Sequence, residues 1–163
     1  MFGDHPLVPG PIVGIRVWRL THTDGGWRVK GMYHDYIWPV GEAAVARCLN
    51  SEGAPSRAHM APYKTHECGL YATNNIDRFA MYIGVSYEVA MGTARIWGRV
   101  IEHEMGFRGS HGYPDRLYVP TCYDAWEEMT TDLAAYNVPV ERLDVSDRDR
   151  VRPIALETLA QHL

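Results

Sequence analysis

The sequence has no apolar run approaching the roughly 18–20 residues that a membrane span needs, so a protein that crosses a membrane on helices is excluded. Its first residues, MFGDHPLVPGPIVG, lack a basic stretch followed by an apolar core, so no secretory signal is read there and a cytoplasmic location is expected. Positive charge is not in excess: 16 Lys and Arg stand against 20 Asp and Glu, a net charge of −4. A non-specific nucleic-acid coat needs a basic face, and bulk charge supplies none. Lysine is nearly missing, with only Lys30 and Lys64 in the chain. A GC-rich genome explains the arginine bias, and planar anion recognition is the functional alternative. Only three cysteines occur, Cys48, Cys68 and Cys122, which excludes a dense disulfide framework. C-x2-C pairs, internal repeats and low-complexity tracts are also missing.

What is present is ordinary globular material. The chain has 163 residues, 46% of them hydrophobic and 22% charged, enough for one domain with a core and too apolar for disorder. Charge is uneven along it. Residues 1–120 carry 12 basic and 11 acidic side chains, whereas residues 121–163 carry 4 and 9. Two regions are therefore expected: an α+β core domain over 1–120 and an acidic, helical C-terminal extension over 121–163 packed on it.

Period and punctuation give the elements. Residues 12–20 (IVGIRVWRL) alternate and are β-branched, which predicts a strand. Asp24-Gly25-Gly26 is a turn signal, and residues 27–32 form the returning strand. The Ala-rich residues 41–49 read as a short helix, residues 50–67 as a long loop, and residues 75–82 as another helix. Alternation over 85–91 predicts a strand. Residues 93–103 (TARIWGRVIEH) fit a helix or a strand; Gly92 and Gly98 weaken the helix, so a strand is expected. Residues 104–106 read as a turn and 117–119 as a short strand. Residues 124–136 read as a helix, with Asp124 as N-cap and Glu127 completing a capping box. Asn137-Val138-Pro139 ends that helix, residues 144–152 are a charged connector, and residues 153–163 form a terminal helix. With no βαβ rhythm, the expected architecture is α+β: a small bent antiparallel sheet or partly open barrel with a few short helices.

Cys48, His59, His66 and Cys68 lie within 21 residues in the pattern C-x10-H-x6-H-x-C. Zinc takes four sulfur and nitrogen ligands, and a loop of this length without its own core gains order from a metal brace. A structural zinc on these four residues, bracing the loop at about 48–68, is therefore expected. The plain alternative is buried cysteines beside surface histidines. A third reading makes Cys68 a nucleophile with His66, His59 or His103 as base, but no recognised nucleophile signature surrounds it.

As a strand, residues 93–103 project Arg95, Trp97, Arg99 and His103 from one side, with Arg108 after the turn and Tyr71 and Tyr113 as further aromatics. Trp offers a flat surface for a base, and Arg a fork for phosphate. The alternative places Trp97 in the core and the arginines in solvent or against Glu88, Glu102 and Glu104. The last two glutamates flank His103 on a strand and point away from it, so they build no acid–base pair and no catalytic residue is assigned.

HMAPYKTHECGLYA (59–72) and WGRVIEHEMGFR (97–108), with WPVG at 38–41, resemble signatures of a family of small uncharacterised proteins of actinobacteria and their phages. That family shows a cysteine, then H-x-A-P, C-x-C-G-[IL]-Y-A, and W-G-x-V-x-x-H-x-x-G-[FWY]-R-A. The resemblance covers roughly residues 37–120. Position 66, often Cys in the family, is His here, which suits a metal site and not a disulfide. Gly109 stands where the family has Ala. The strand–loop pattern is also faintly similar to PUA-like domains, including the ASCH and EVE branches, bent barrels that bind RNA or modified bases.

The expectation is a non-catalytic binding module for a nucleotide, modified base or short nucleic acid, using Arg95, Trp97, Arg99, His103, Arg108 and Tyr71. The alternatives are a regulatory protein that binds a host protein through the acidic segment, and a Cys- or metal-dependent enzyme.

Overall fold

In a computed structural model, residues 10–33, 35–48, 61–63, 66–81, 83–84 and 86–163 are described. The centre of the fold is a ribbon of two 15-residue antiparallel strands, β5 (Val89–His103) and β6 (Gly106–Pro120). On one side β5 pairs with β1 (Ile12–Thr23), which pairs with β2 (Gly26–Lys30). On the other, β6 pairs with β3 (Ala44–Val45), β4 (Leu70–Ala72) and β7 (Val140–Leu143). The seven-stranded sheet does not close into a barrel. A single bridge, Ile15 to Thr73, carries the end of β4 across to β1.

β1 is buried on both faces, and this divides the core in two. Trp18 and Leu20 belong to one cluster, together with Trp38, Ala90, Ala94, Ile96, Leu117 and Val119. Helix α2 (Trp126–Leu133) and the 3-10 turn after it cover that face with Met129, Leu133 and Tyr136. Ile15 and Val17 point the other way, against Phe79 of α1 (Ile76–Ala80) and Val151, Ala155 and Leu159 of α3 (Val151–Ala160). Tyr136 ties the first face together: its hydroxyl donates to the Trp38 carbonyl at 2.7 Å and accepts the Val29 N–H at 3.2 Å.

The α+β class holds, with several differences inside it. The sheet is mixed, because β7 runs parallel to β6 after a crossover through α2, a βαβ unit in a chain whose sequence shows no such rhythm. Residues 121–163 thus contribute a strand to the sheet and side chains to both core clusters. Of the helix expected over 41–49, the described residues 41–48 are not helical: Ala44 and Val45 pair with Gly112 and His111, because an isolated helix of nine residues has too little internal bonding to compete with a free strand edge. The strand expected over 117–119 extends back to Gly106. Its first part, GFRGSHGYPDR, is poor in strand formers, and pairing with β5 imposes the extended conformation. Strand β5 begins at Val89, later than its alternation suggests. Helix α2 begins at Trp126 with Ala125 as N-cap and no side-chain cap, so Asp124 does not cap it. Asn75, by contrast, caps α1, its side chain accepting the Arg78 N–H at 3.1 Å. Among the described residues no helix is long and apolar enough to cross a membrane.

Candidate functional site: an aromatic groove and a Cys/His loop

Residues 93–103 are strand, as the glycines suggest, and two bulges set what their side chains reach. The first lies in β6. Thr93 is opposite Arg116 and Ala94 opposite Pro114, so Asp115 is the extra residue. Proline fits at such a point because no ladder donor is needed. The bulge turns the Asp115 carboxylate to Thr93 Oγ1 at 2.9 Å and to Arg95 Nε at 3.4 Å, which fixes the guanidinium. The second lies in β5. Trp97 is opposite His111 and Val100 opposite Gly109, leaving one residue too many at Gly98–Arg99. Gly98 takes φ +81, a left-handed conformation that favours glycine, and a Cβ there would stand 2.2 Å from Ser110 Oγ. Ser110 Oγ secures the bulge by accepting the Arg99 N–H at 2.9 Å.

Upstream of the second bulge the alternation is intact. Arg95 faces Tyr113 and Trp97 faces His111 across the ladder, with the Trp97 and His111 rings nearly parallel at 20° and 6.1 Å between centroids. Arg95, Trp97 and Tyr113 form one wall of an open groove of about 810 Å³. Tyr136, Val138 and Pro11 also line it. Tyr113 is held edge-on to Tyr136 and donates its hydroxyl to the Tyr136 carbonyl at 2.9 Å, while accepting the Gly41 N–H at 3.0 Å. Among the described residues the groove is predominantly apolar, with one cation, Arg95, and one carboxylate, Glu42.

The six ligand residues expected from the sequence therefore do not share one place. Arg95 and Trp97 line the groove; Arg99, displaced by the bulge, does not. Tyr71, His103 and Arg108 gather elsewhere. Tyr71 is opposite Arg108 across β4 and β6, and its ring meets His103 at 5.8 Å. Arg108 is buried, and its guanidinium donates to the carbonyls of Tyr63 (3.0 Å), Cys68 (2.8 Å) and His66. It braces the Cys/His loop, and those contacts take it away from any ligand in the groove. Burial, and then the charges of Arg108 and Arg78, hold the His103 imidazole below its ordinary value. Burial raises the Tyr71 hydroxyl, which donates to the Glu67 carbonyl.

Of the four metal ligands expected, His59 lies outside the described residues. The other three converge: Cys48 Sγ stands 3.6 Å from His66 Nδ1, and the Cys48 and Cys68 thiols are close enough to share a hydrogen bond. Cys68 Sγ also accepts the Tyr63 N–H at 3.3 Å. Burial first, and the neighbouring Cys68 second, push the Cys48 thiol up. A separate group, His22, Glu128 and Asp132, could hold a metal ion: each brings one ligand atom within 4.8 Å of the others. Sequence reading passed over it because β1 and α2 are about a hundred residues apart. It also passed over Tyr136, Val138 and Pro11, whose part in the groove depends on where the 3-10 turn and the N-terminal residues pack.

Comparisons of the chain with protein-family models, with curated proteins and with solved structures give no match.

Proposed function

We propose that the protein is a non-catalytic binding module whose groove takes a nucleotide, a modified base or a short stretch of nucleic acid, and whose Cys/His loop is held by a structural zinc. The observation that carries the reading is the wall formed by Arg95, Trp97 and Tyr113 on a groove of about 810 Å³. Small-molecule sites occupy a few hundred to about 1,000 Å³ and are apolar with a few fixed polar groups. Here the rings supply stacking surface for a planar base. Arg95 supplies a cation, held by Asp115 and half exposed, for a phosphate or a base edge.

Zinc is supported by geometry. A tetrahedral ion with Zn–S near 2.3 Å and Zn–N near 2.1 Å holds its sulfur and nitrogen about 3.6 Å apart. The Cys48–His66 separation is 3.6 Å. Cys68 supplies the third ligand and His59 is the candidate for the fourth. Four protein ligands leave no open position, so the role is structural.

A thermal-shift screen of nucleotides and short oligonucleotides, with tryptophan fluorescence as second readout, tests the groove. Binding is expected in the native protein, and Trp97→Ala should weaken it by about 1–3 kcal/mol. No response to any nucleotide or oligonucleotide overturns the reading. Metal analysis of protein purified without added zinc tests the loop: one zinc per chain is expected, and a folded, metal-free protein refutes it.

A further inference from the structure

We propose that His22, Glu128 and Asp132 form a metal site of their own, built on other elements than the Cys/His loop, for one divalent first-row ion such as zinc. Imidazole and carboxylate are ligands such ions accept, and three protein ligands leave the remaining position to water. The site pins the β1–β2 hairpin to α2.

Four observations converge on it. First, Glu128 and Asp132 are four residues apart on α2, so both carboxylates stand on one helical face, toward the end of β1. Second, His22 Nε2 and Glu128 Oε1 are 3.4 Å apart. That is long for a hydrogen bond. It is close to the edge of about 3.3 Å between two ligands bound at about 2.0–2.1 Å to a tetrahedral ion. Third, Asp132 is fixed from outside the group. The Trp27 N–H donates to its Oδ2 at 2.9 Å, the kind of outer hydrogen bond that orients a ligating carboxylate. The hairpin is shaped to admit it: Gly26 has φ +106, and a Cβ there would stand 2.7 Å from the Asp132 carboxylate. The His22 ring is oriented in turn by the Trp27 indole, edge-on at 5.3 Å.

Fourth, the group brings two carboxylates together, with Arg28 as a single positive charge nearby. Two carboxylates so close repel each other. The nearby Arg28 donates to the carbonyls of Gly25, Trp27 and Asp132, not to a carboxylate. A divalent ion removes the repulsion and adds a link between two elements that already pack through Trp18, Leu20, Met129 and Leu133.

The test adds zinc to the purified full-length protein and follows it by native mass spectrometry and calorimetry. One ion is expected beyond any retained through purification. Its affinity should fall more than tenfold in His22→Gln and in Glu128→Gln. Both side chains are more than half exposed, so the variants keep the fold. Cys48→Ser should leave this ion bound while removing any zinc held by the loop, so failure of one site is distinguishable from failure of the other. Cobalt in the same site should give a spectrum without thiolate charge-transfer bands. No added ion, an affinity in both variants unchanged from the native protein, or loss of the added ion only in Cys48→Ser overturns the proposal.

Discussion

Arg108 shows how a single residue can be assigned the wrong partner class from sequence. It follows an Arg–Trp strand, and in isolation that invites a phosphate. In the fold it is buried, with three backbone carbonyls on its guanidinium. Removing it takes the charged donor from those carbonyls, and a hydrogen bond to a charged group is worth about 1.5–3 kcal/mol. Arg108→Met should therefore destabilise the protein by at least about 3 kcal/mol in urea unfolding, more than Arg95→Ala, whose side chain is half exposed. Tyr136 is the corresponding residue on the α2 face. Burial pushes its hydroxyl up to about 12, and both its hydrogen bonds are to backbone. Tyr136→Phe should cost about 1–3 kcal/mol by the same measurement, because the Val29 N–H and the Trp38 carbonyl lose their partner. His103 gives a pH dependence. Its folded value lies below the ordinary 6.5, so between the two values the unfolded chain binds more protons than the folded one. Stability then rises with pH through that window and is lost as pH falls through it. His103→Gln should flatten this limb of a plot of melting temperature against pH; an unchanged limb would assign it to other groups.

At the scale of elements, the β5–β6 ribbon does most of the positioning. Its bulges are opposite in placement and complementary in effect: Asp115 is turned to hold Arg95, and Gly98 ends the run of side chains that the groove uses. Gly98→Ala sets a Cβ 2.2 Å from Ser110 Oγ and 2.7 Å from His111 Nδ1, at a φ of +81. A left-handed non-glycine residue alone costs about 1–2 kcal/mol. The variant should lose at least that much stability, and ligand-induced quenching of Trp97 should weaken with it as His111 and Trp97 shift. Gly41→Ala separates the two costs: its φ is +77 as well, but its Cβ meets nothing within 4 Å, so it should carry the left-handed cost alone.

At the scale of the molecule, the acidic C-terminal segment cannot be cut away to test for a protein partner. It supplies β7 within the sheet, Met129, Leu133 and Tyr136 to one core cluster, and Leu143, Val151, Ala155 and Leu159 to the other. Deleting residues 121–163 should abolish cooperative unfolding in circular dichroism, so loss of a partner in that deletion would report unfolding. Charge reversal at exposed positions such as Glu127 and Asp144 tests the same idea with the fold kept.

Much was legible in the chain itself. The alternation of IVGIRVWRL fixed β1 and Asp24-Gly25 its turn; the spacing of Trp126, Met129, Leu133 and Tyr136 puts them near one helical face, and that face packs on the core, with Trp126 only partly buried. Glycines beside and within 93–103 argued against a helix. These are local effects, decided by neighbours a few residues away. Cys48, His66 and Cys68 could be nominated as partners from their residue types and the loop between them. What lay beyond the sequence depended on contacts across long separations. The segment GFRGSHGYPDR becomes strand because β5 lies beside it, and residues 44–45 become strand because β6 offers an edge. Tyr113 and Tyr136 wall the groove with Trp97 because α2 folds back over the sheet, and His22 meets Glu128 for the same reason. Periodicity reports which face of an element is apolar; it cannot report which remote element will cover that face. Only the tertiary structure decided that Arg95 and Trp97 share a groove while Arg108 turns inward to brace a loop.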